Sequence, residues 1–261
     1  MTRLDVWLAD HGLAESREKA QALVMAGRVT MNGERVSKPG ARVREGAEIS
    51  VDPGPAHVGR GALKLAGALD AFAIDVRGRV AVDVGASTGG FTETLLTRGA
   101  IRVYAVDVGR GQLHESLRTD PRVVVCDRTN ARELSPAAVP EPCGTASVDV
   151  SFISTRLILP ALRTVVDEGA DVVVLVKPQF EVGRRQVGRG GIVREPELHR
   201  QALRDVATAA QELSGYAVRE SCASPITGAE GNREFFLHLV PEGAPLARDR
   251  IEDLVRKAVE G

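Results

Sequence analysis

No stretch of this 261-residue chain approaches the roughly 18 uninterrupted apolar residues that a membrane helix requires. The first residues, Met1-Thr2-Arg3-Leu4-Asp5, lack the basic-then-apolar layout of a secretion signal. Cysteine is scarce: Cys126, Cys143 and Cys222 stand far apart with no Cys-x-x-Cys pair. That spacing favours ordinary free thiols in a reducing compartment over a disulfide framework or a metal centre. Aromatics make up 3% of the chain and the formal net charge is −1. No global positive field draws such a protein to nucleic acid, so any contact of that kind must rest on local clusters. There is no internal repeat and no low-complexity tract. A cytoplasmic globular protein without metal or membrane is the expectation.

What is present falls into two patterns. In the first 50 or so residues, Arg3–Ala9 and Arg17–Ala26 carry helical apolar spacing, with Ser16 as an N-cap and Gly27 as a stop. Val29-Thr30-Met31 turns through Asn32-Gly33 into Glu34-Arg35-Val36, a strong hairpin signal, and Glu48–Val51 supplies a last strand. Asp52-Pro53-Gly54-Pro55 reads as the start of a linker over 53–60. Beyond it, a helix over Ala62–Phe72 precedes strand-like runs at Val80–Val84, Val103–Asp107, Val123–Cys126, Val148–Phe152 and Val172–Val176. Helical stretches such as Phe91–Thr97 and Pro160–Val166 lie between them. A long helix over Pro196–Leu213, strands at Ala217–Cys222 and Glu234–Leu239 and a helix over Ala247–Val259 follow. Strands alternating with helices predict a parallel sheet of about seven strands covered on both faces.

The segment Asp83-Val84-Gly85-Ala86-Ser87-Thr88-Gly89-Gly90-Phe91 is a strand, a turn of small residues and a helix start, an arrangement that lets a nucleotide approach free backbone N–H groups. Its Gly-x-Ser-x-Gly also fits a hydrolase elbow with Ser87 as nucleophile, and His199 or His238 as base, but that leaves Asp83 and Asp107 unexplained. A dinucleotide site needs glycine where Ser87 stands, and Asp83 would repel a pyrophosphate. S-adenosyl-L-methionine, cationic and without phosphate, fits better. Asp83 then faces its ammonium, Asp107 its ribose hydroxyls and Asp127 its adenine amino group. Further on, Asp149 lies in the apolar run Val148–Ile153, and the strand Val172–Val176 ends in Lys177-Pro178. Ligands of open α/β sheets sit at the carboxyl ends of the strands. A lysine drawn out of water there suits the removal of a proton from a hydroxyl, with Asp149 to orient it. A structural ion pair is the competing account.

Six segments in order carry a family resemblance: Gly85–Thr92, Asp107-Val108-Gly109, Arg128–Arg132, Asp149–Ser154, Val176–Glu181 and Gly231–Phe236. With the N-terminal unit they cover nearly the whole chain, and together they resemble the TlyA-type (hemolysin A) rRNA methyltransferases. The resemblance implies a doubly wound, Rossmann-like class I methyltransferase domain at 61–261, similar to the FtsJ-like enzymes. It implies a small α+β S4 RNA-binding domain at 1–52. Cofactor contacts would fall on Asp83, Gly85, Ser87, Thr88, Gly89, Gly90, Phe91, Asp107, Asp127 and Asp149. The family's Lys-Asp-Lys-Glu tetrad maps onto Lys64, Asp149, Lys177 and Glu234. Spacing alone selects neither Lys64 nor Glu234. The implied activity is 2′-O-methylation of cytidine in 16S and/or 23S ribosomal RNA within 30S or 50S subunits, with loss giving resistance to capreomycin-type antibiotics.

RNA contacts are expected from Arg3, Arg17, Arg28, Lys38, Arg42 and Arg44 in the first unit. Arg60, and the Gly-rich stretch with Arg184, Arg185 and Arg189, are expected to add to them as a mobile basic loop. One departure stands out: His57 occupies the linker where some relatives carry an aromatic. A non-catalytic assembly factor is disfavoured by the intact tetrad. A membrane-lytic protein is disfavoured by the lack of any spare apolar segment.

Overall fold

A computed structural model of the chain describes residues 2–52 and 57–261. The chain divides into two compact units, at residues 56 and 57. The linker expected over 53–60 lies partly outside the described residues. Its second half, from His57, groups with the larger unit: the Val58 backbone N–H donates to Glu93 Oε2 at 3.1 Å, and His57 Nδ1 lies 3.2 Å from the same oxygen.

The first unit runs β1 (Thr2–Arg3), α1 (Leu4–Asp10), α2 (Arg17–Met25), β2 (Val29–Met31), β3 (Glu34–Arg35), β4 (Arg42–Val43) and β5 (Ile49–Val51). Ser16 caps α2, its Oγ accepting from the Lys19 N–H at 3.2 Å. Asn32 and Gly33 take φ of 53° and 80°, the two left-handed centres of a tight hairpin whose twist matches its strands. The strand order is β3-β2-β5, all antiparallel, while β1 and β4 form a separate pair that the sequence pattern does not signal. Leu4, Leu8, Ala20, Val24 and Val29 close the small core.

The second unit contains α3 (Gly61–Ala71), β6 (Val80–Val84), α4 (Gly90–Thr97), β7 (Arg102–Val106), α5 (Glu115–Arg118), β8 (Val123–Cys126) and β9 (Cys143–Val148). Then come α6 (Leu159–Leu162), β10 (Val166–Val176), α7 (Pro178–Glu181), α8 (Pro196–Ser214), β11 (Ala217–Ala223), β12 (Phe235–Val240) and α9 (Arg248–Glu260). The seven strands lie in the order β11-β12-β10-β9-β6-β7-β8. Apolar side chains from both faces close the core. Leu65, Leu69, Phe91 and Leu95 of α3 and α4 pack in one cluster, and Leu203, Val206, Ile251 and Val255 of α8 and α9 in the other.

Three expectations need correction. The sheet is not wholly parallel, because β12 runs antiparallel to both β10 and β11. The strand placed at Val148–Phe152 ends at Val148, so Asp149 leaves the sheet instead of lying within it. Its apolar successors do not continue a ladder: Phe152 takes φ 65° and is 91% exposed. The helix placed at Pro160–Val166 shrinks to Leu159–Leu162, since Val166 already begins the eleven-residue β10. No helix among the described residues is long and apolar enough to cross a membrane.

Candidate active site

The site is built where β6, β9 and β10 end. Parallel register sets Val84 beside Val148 and Val148 beside Val174, so the residues that follow share one edge of the sheet. Gly85 turns at φ 89° and is packed so tightly that a Cβ would fall inside contact distance of the Asp149 carbonyl. Only glycine allows that approach. Gly89, at φ 102°, starts α4 beneath Leu113 and Leu117.

A cleft of about 510 Å³ opens here, within the range of small-molecule sites, lined among others by Gly85, Ser87, Asp107, Gln112, Asn130 and Asp149. A smaller hollow of about 150 Å³ shares Gly85, Ser87 and Asp149 and adds Thr88, Gly90 and Phe91. Asp107 and Asp149 are the charged side chains in the larger lining, which contains no lysine or arginine. Asp107 is held by two backbone N–H groups, Ser87 N at 2.8 Å on Oδ2 and Gly109 N at 2.7 Å on Oδ1. An acid-lined cleft at a glycine turn suits a cationic ligand without phosphate.

Two of the acids expected to meet the cofactor, Asp83 and Asp127, are not among the residues lining either cavity. Asp83 is fully buried, its carboxylate taking Thr92 Oγ1 at 2.7 Å and Ser147 Oγ at 2.9 Å, and burial pushes its pKa up to about 7. It lines neither cavity. Asp127 accepts from the Gly111 N–H at 3.1 Å and from Arg118 Nη1 at 3.3 Å, and it too lies outside both linings. Both carboxylates are held by these local donors.

The four tetrad positions form two lysine–carboxylate pairs. Lys177 Nζ lies 2.5 Å from Asp149 Oδ1 and donates to Ser151 Oγ at 3.0 Å. Lys64 Nζ donates to Glu234 Oε2 at 2.6 Å. Both lysines are 8% exposed. The antiparallel β12 explains how Glu234 reaches this edge. Val176 pairs with Phe235, so the residue before β12 comes level with the residue after β10. Lys64 sits one turn into α3, whose first residue, Gly61, lines the smaller hollow with Asp149.

The hydrolase alternative finds no base. His199 Nε2 is bonded to the Val193 carbonyl at 2.9 Å and His238 Nε2 to Asp171 at 2.7 Å, while Ser87 Oγ has Gln112 at 3.5 Å. The basic residues divide similarly. Arg3 and Arg17 are tied to the buried Asp5, at 2.9 and 3.1 Å, and that pairing holds the Asp5 carboxyl well below the usual range. Arg60 donates to the Thr227 carbonyl at 2.8 Å. Lys38, Arg42 and Arg44 are exposed, and Arg28 is half-buried. Arg184, Arg185 and Arg189 are exposed on two short turns, Arg184–Gln186 and Arg189–Gly191.

The C-terminal end of that stretch is held by side-chain hydrogen bonds. Buried Asn232 donates to the Gly191 carbonyl and accepts from the Val193 N–H, each at 2.9 Å. Asn232, Ser151 and Glu181 were not singled out from the sequence. Their signal is that each falls inside one of the segments that carry the family resemblance, Asp149–Ser154, Val176–Glu181 and Gly231–Phe236.

The profile of the FtsJ-like methyltransferases matches residues 57–240, and that of the S4 domain residues 2–49. The chain belongs to the FtsJ-like methyltransferase family. Among its relatives is the 16S/23S rRNA (cytidine-2′-O)-methyltransferase TlyA of Mycobacterium tuberculosis, 49% identical over 98% of this chain and 97% of the relative. Hemolysin A of Brachyspira hyodysenteriae is 37% identical over 91% of this chain and 99% of its own. A solved hemolysin chain from Streptococcus thermophilus is 44% identical with a TM-score of 0.73, covering 99% of this chain and 95% of that one.

Proposed function

We propose that this protein transfers a methyl group from S-adenosyl-L-methionine to the 2′-hydroxyl of a cytidine ribose in ribosomal RNA. The observation that carries the reading is the Lys177–Asp149 pair on the rim of the acid-lined cleft, with the Lys64–Glu234 pair at the same sheet edge. The named activity of the mycobacterial relative, nearly half identical over almost its full length, supports the substrate. Gly85, Ser87 and Asp107 would hold the cofactor, and Asp149 would border it. Thr88, Gly90 and Phe91 would shape the smaller hollow. When bound, S-adenosyl-L-methionine supplies a methyl group activated by its sulfonium.

A ribose hydroxyl is a weak acid and a weak nucleophile, so this chain's residues must orient it and receive its proton. Lys177 Nζ takes that proton after first releasing one of its own to solvent, and Asp149 and Ser151 hold the resulting amine so that its lone pair meets the hydroxyl. Lys64, steadied by Glu234, holds the hydroxyl oxygen in line. Positioning of this kind supplies much of the rate in a direct transfer. Lys38, Arg42, Arg44 and the arginines at 184, 185 and 189 would contact phosphates, while Arg3 and Arg17 present what the Asp5 pairing leaves exposed.

The test is tritium transfer from methyl-labelled S-adenosyl-L-methionine to purified 30S and 50S subunits, with Lys177→Ala beside the wild type. Label in rRNA from the wild type alone supports the reading and shows which subunit is modified. No transfer to either particle, with cofactor still bound, refutes it.

A further inference from the structure

Glu181 closes α7, four residues beyond Lys177, and its side chain is 1% exposed. A carboxylate buried that deeply must have its lone pairs filled. Oε1 accepts from the backbone N–H and from the hydroxyl of Thr155, each at 2.8 Å, and Oε2 accepts from Ser154 Oγ at 2.5 Å. Arg156 adds its Nε at 3.4 Å from Oε2 and donates Nη2 to the Glu181 carbonyl at 3.4 Å. The same guanidinium steadies Ser154, whose Oγ accepts from Arg156 Nε at 3.0 Å.

All of these partners lie on residues 154–156, on the segment that carries Asp149 and Ser151 away from β9. Glu181 itself lies on the segment that carries Lys177 away from β10. Its carboxylate is therefore a strut between two segments that leave neighbouring parallel strands. The sheet does not depend on that strut, because its core is closed by apolar side chains.

We infer that Glu181 is a positioning residue of this site, acting through the 149–156 segment to keep Asp149 and Ser151 on Lys177. The inference rests on the reading of Lys177 as the group that meets the ribose hydroxyl. Removing the carboxylate leaves the Thr155 N–H and two hydroxyls without their acceptor, and the segment relaxes to satisfy them elsewhere. Glutamine preserves most of the strut. Its amide oxygen can still accept from Thr155, and its NH₂ can donate to Ser154 Oγ.

The experiment compares wild type, Glu181→Ala, Glu181→Gln and Thr155→Val as full-length chains. The first readout is single-turnover methyl transfer to ribosomal subunits at saturating cofactor, with cofactor affinity measured separately. Misplacement of about an ångström costs about a hundredfold in rate. Glu181→Ala should therefore slow transfer by about ten- to a hundredfold with cofactor affinity kept within about threefold, and Glu181→Gln should recover most of the rate. The second readout needs no activity. The chain has five lysines, so protein labelled with [6-¹³C]lysine gives few enough signals to assign Lys177 by its absence in Lys177→Ala. In the wild type the two ε protons of an immobilised Lys177 are inequivalent. In folded Glu181→Ala and Thr155→Val they should collapse towards one shift.

An unchanged Lys177 signal in either folded variant overturns the strut, whatever the rate does. A rate loss that glutamine does not recover also overturns it. Should the wild type methylate neither subunit, the functional reading falls while the lysine signal still decides the role of Glu181.

Discussion

The Lys64–Glu234 pair invites a double-mutant cycle that separates a structural link from a working one. The pair is buried, with side-chain exposures of 11% and 3%, and its Nζ–Oε2 separation is 2.6 Å. Removing one partner leaves the other charge in the interior without its counter-ion, which costs about 3–5 kcal/mol. For a unit of this size each kcal/mol shifts Tm by about 2–4 °C, so Lys64→Met and Glu234→Leu should each lower Tm by roughly 6–20 °C. The double variant replaces two buried charges by apolar side chains of similar volume, a change that is often neutral or stabilising. Its Tm should return to within a few degrees of the wild type. Methyl transfer should not return with it: single-turnover rates on ribosomal subunits should stay about a hundredfold or more below wild type in all three variants. Differential scanning calorimetry and rapid-quench transfer of labelled methyl supply the two axes. A double variant that regains both stability and rate would reduce the pair to a strut and refute its assigned role.

Three further outcomes are expected. Asp83, with its pKa raised to about 7 by burial, contributes stability that is full below the ordinary carboxylate range near pH 4 and is lost as pH rises towards 7. The Tm of the wild type should therefore fall relative to Asp83→Asn between pH 5 and 8, by about 2–3 kcal/mol in stability, and parallel curves would contradict this. Gly85→Ala should cost about 1–2 kcal/mol for its left-handed backbone alone. It should also displace the Asp149 backbone, weakening cofactor binding at least about tenfold by titration calorimetry. Lys38→Ala and Arg44→Ala should each weaken RNA binding and lower the slope of log K against log salt by about 1, and an unchanged slope would remove them from the phosphate contacts.

The sheet is legible in the sequence because its inner strands carry continuous apolar runs, such as Val80–Val84 and Val172–Val176, and the glycine turn is legible because it needs small residues. The order and direction of the strands are not. Nothing in the run from Phe235 to Val240 distinguishes an antiparallel strand from a parallel one. Direction decides everything for Glu234, which reaches the site only because β12 enters the sheet from the edge where the others leave it. Asp149 was recognised as unusual for lying in an apolar run, yet the run belongs to two different structures, a strand that ends at Val148 and a turn that begins with Asp149. Asp83 and Asp127 were assigned by position along the chain, which places an acid near a site but does not say which way it faces. Both are taken up by local donors. Glu181 closes the segment Val176–Glu181, but nothing in the sequence says that its carboxylate is buried against residues 154–156.

The reversed strand also governs how the chain is made. During synthesis β10 emerges before β11 and β12, so for many residues its outer edge, Val172–Val176, has no neighbour. Such a bare apolar edge is a template for pairing with other chains. A product that stops short of residue 234 would therefore do more than lack Glu234. It would expose that edge permanently, and premature termination there would deliver aggregates to the cell's quality control rather than a weakened enzyme to its ribosomes.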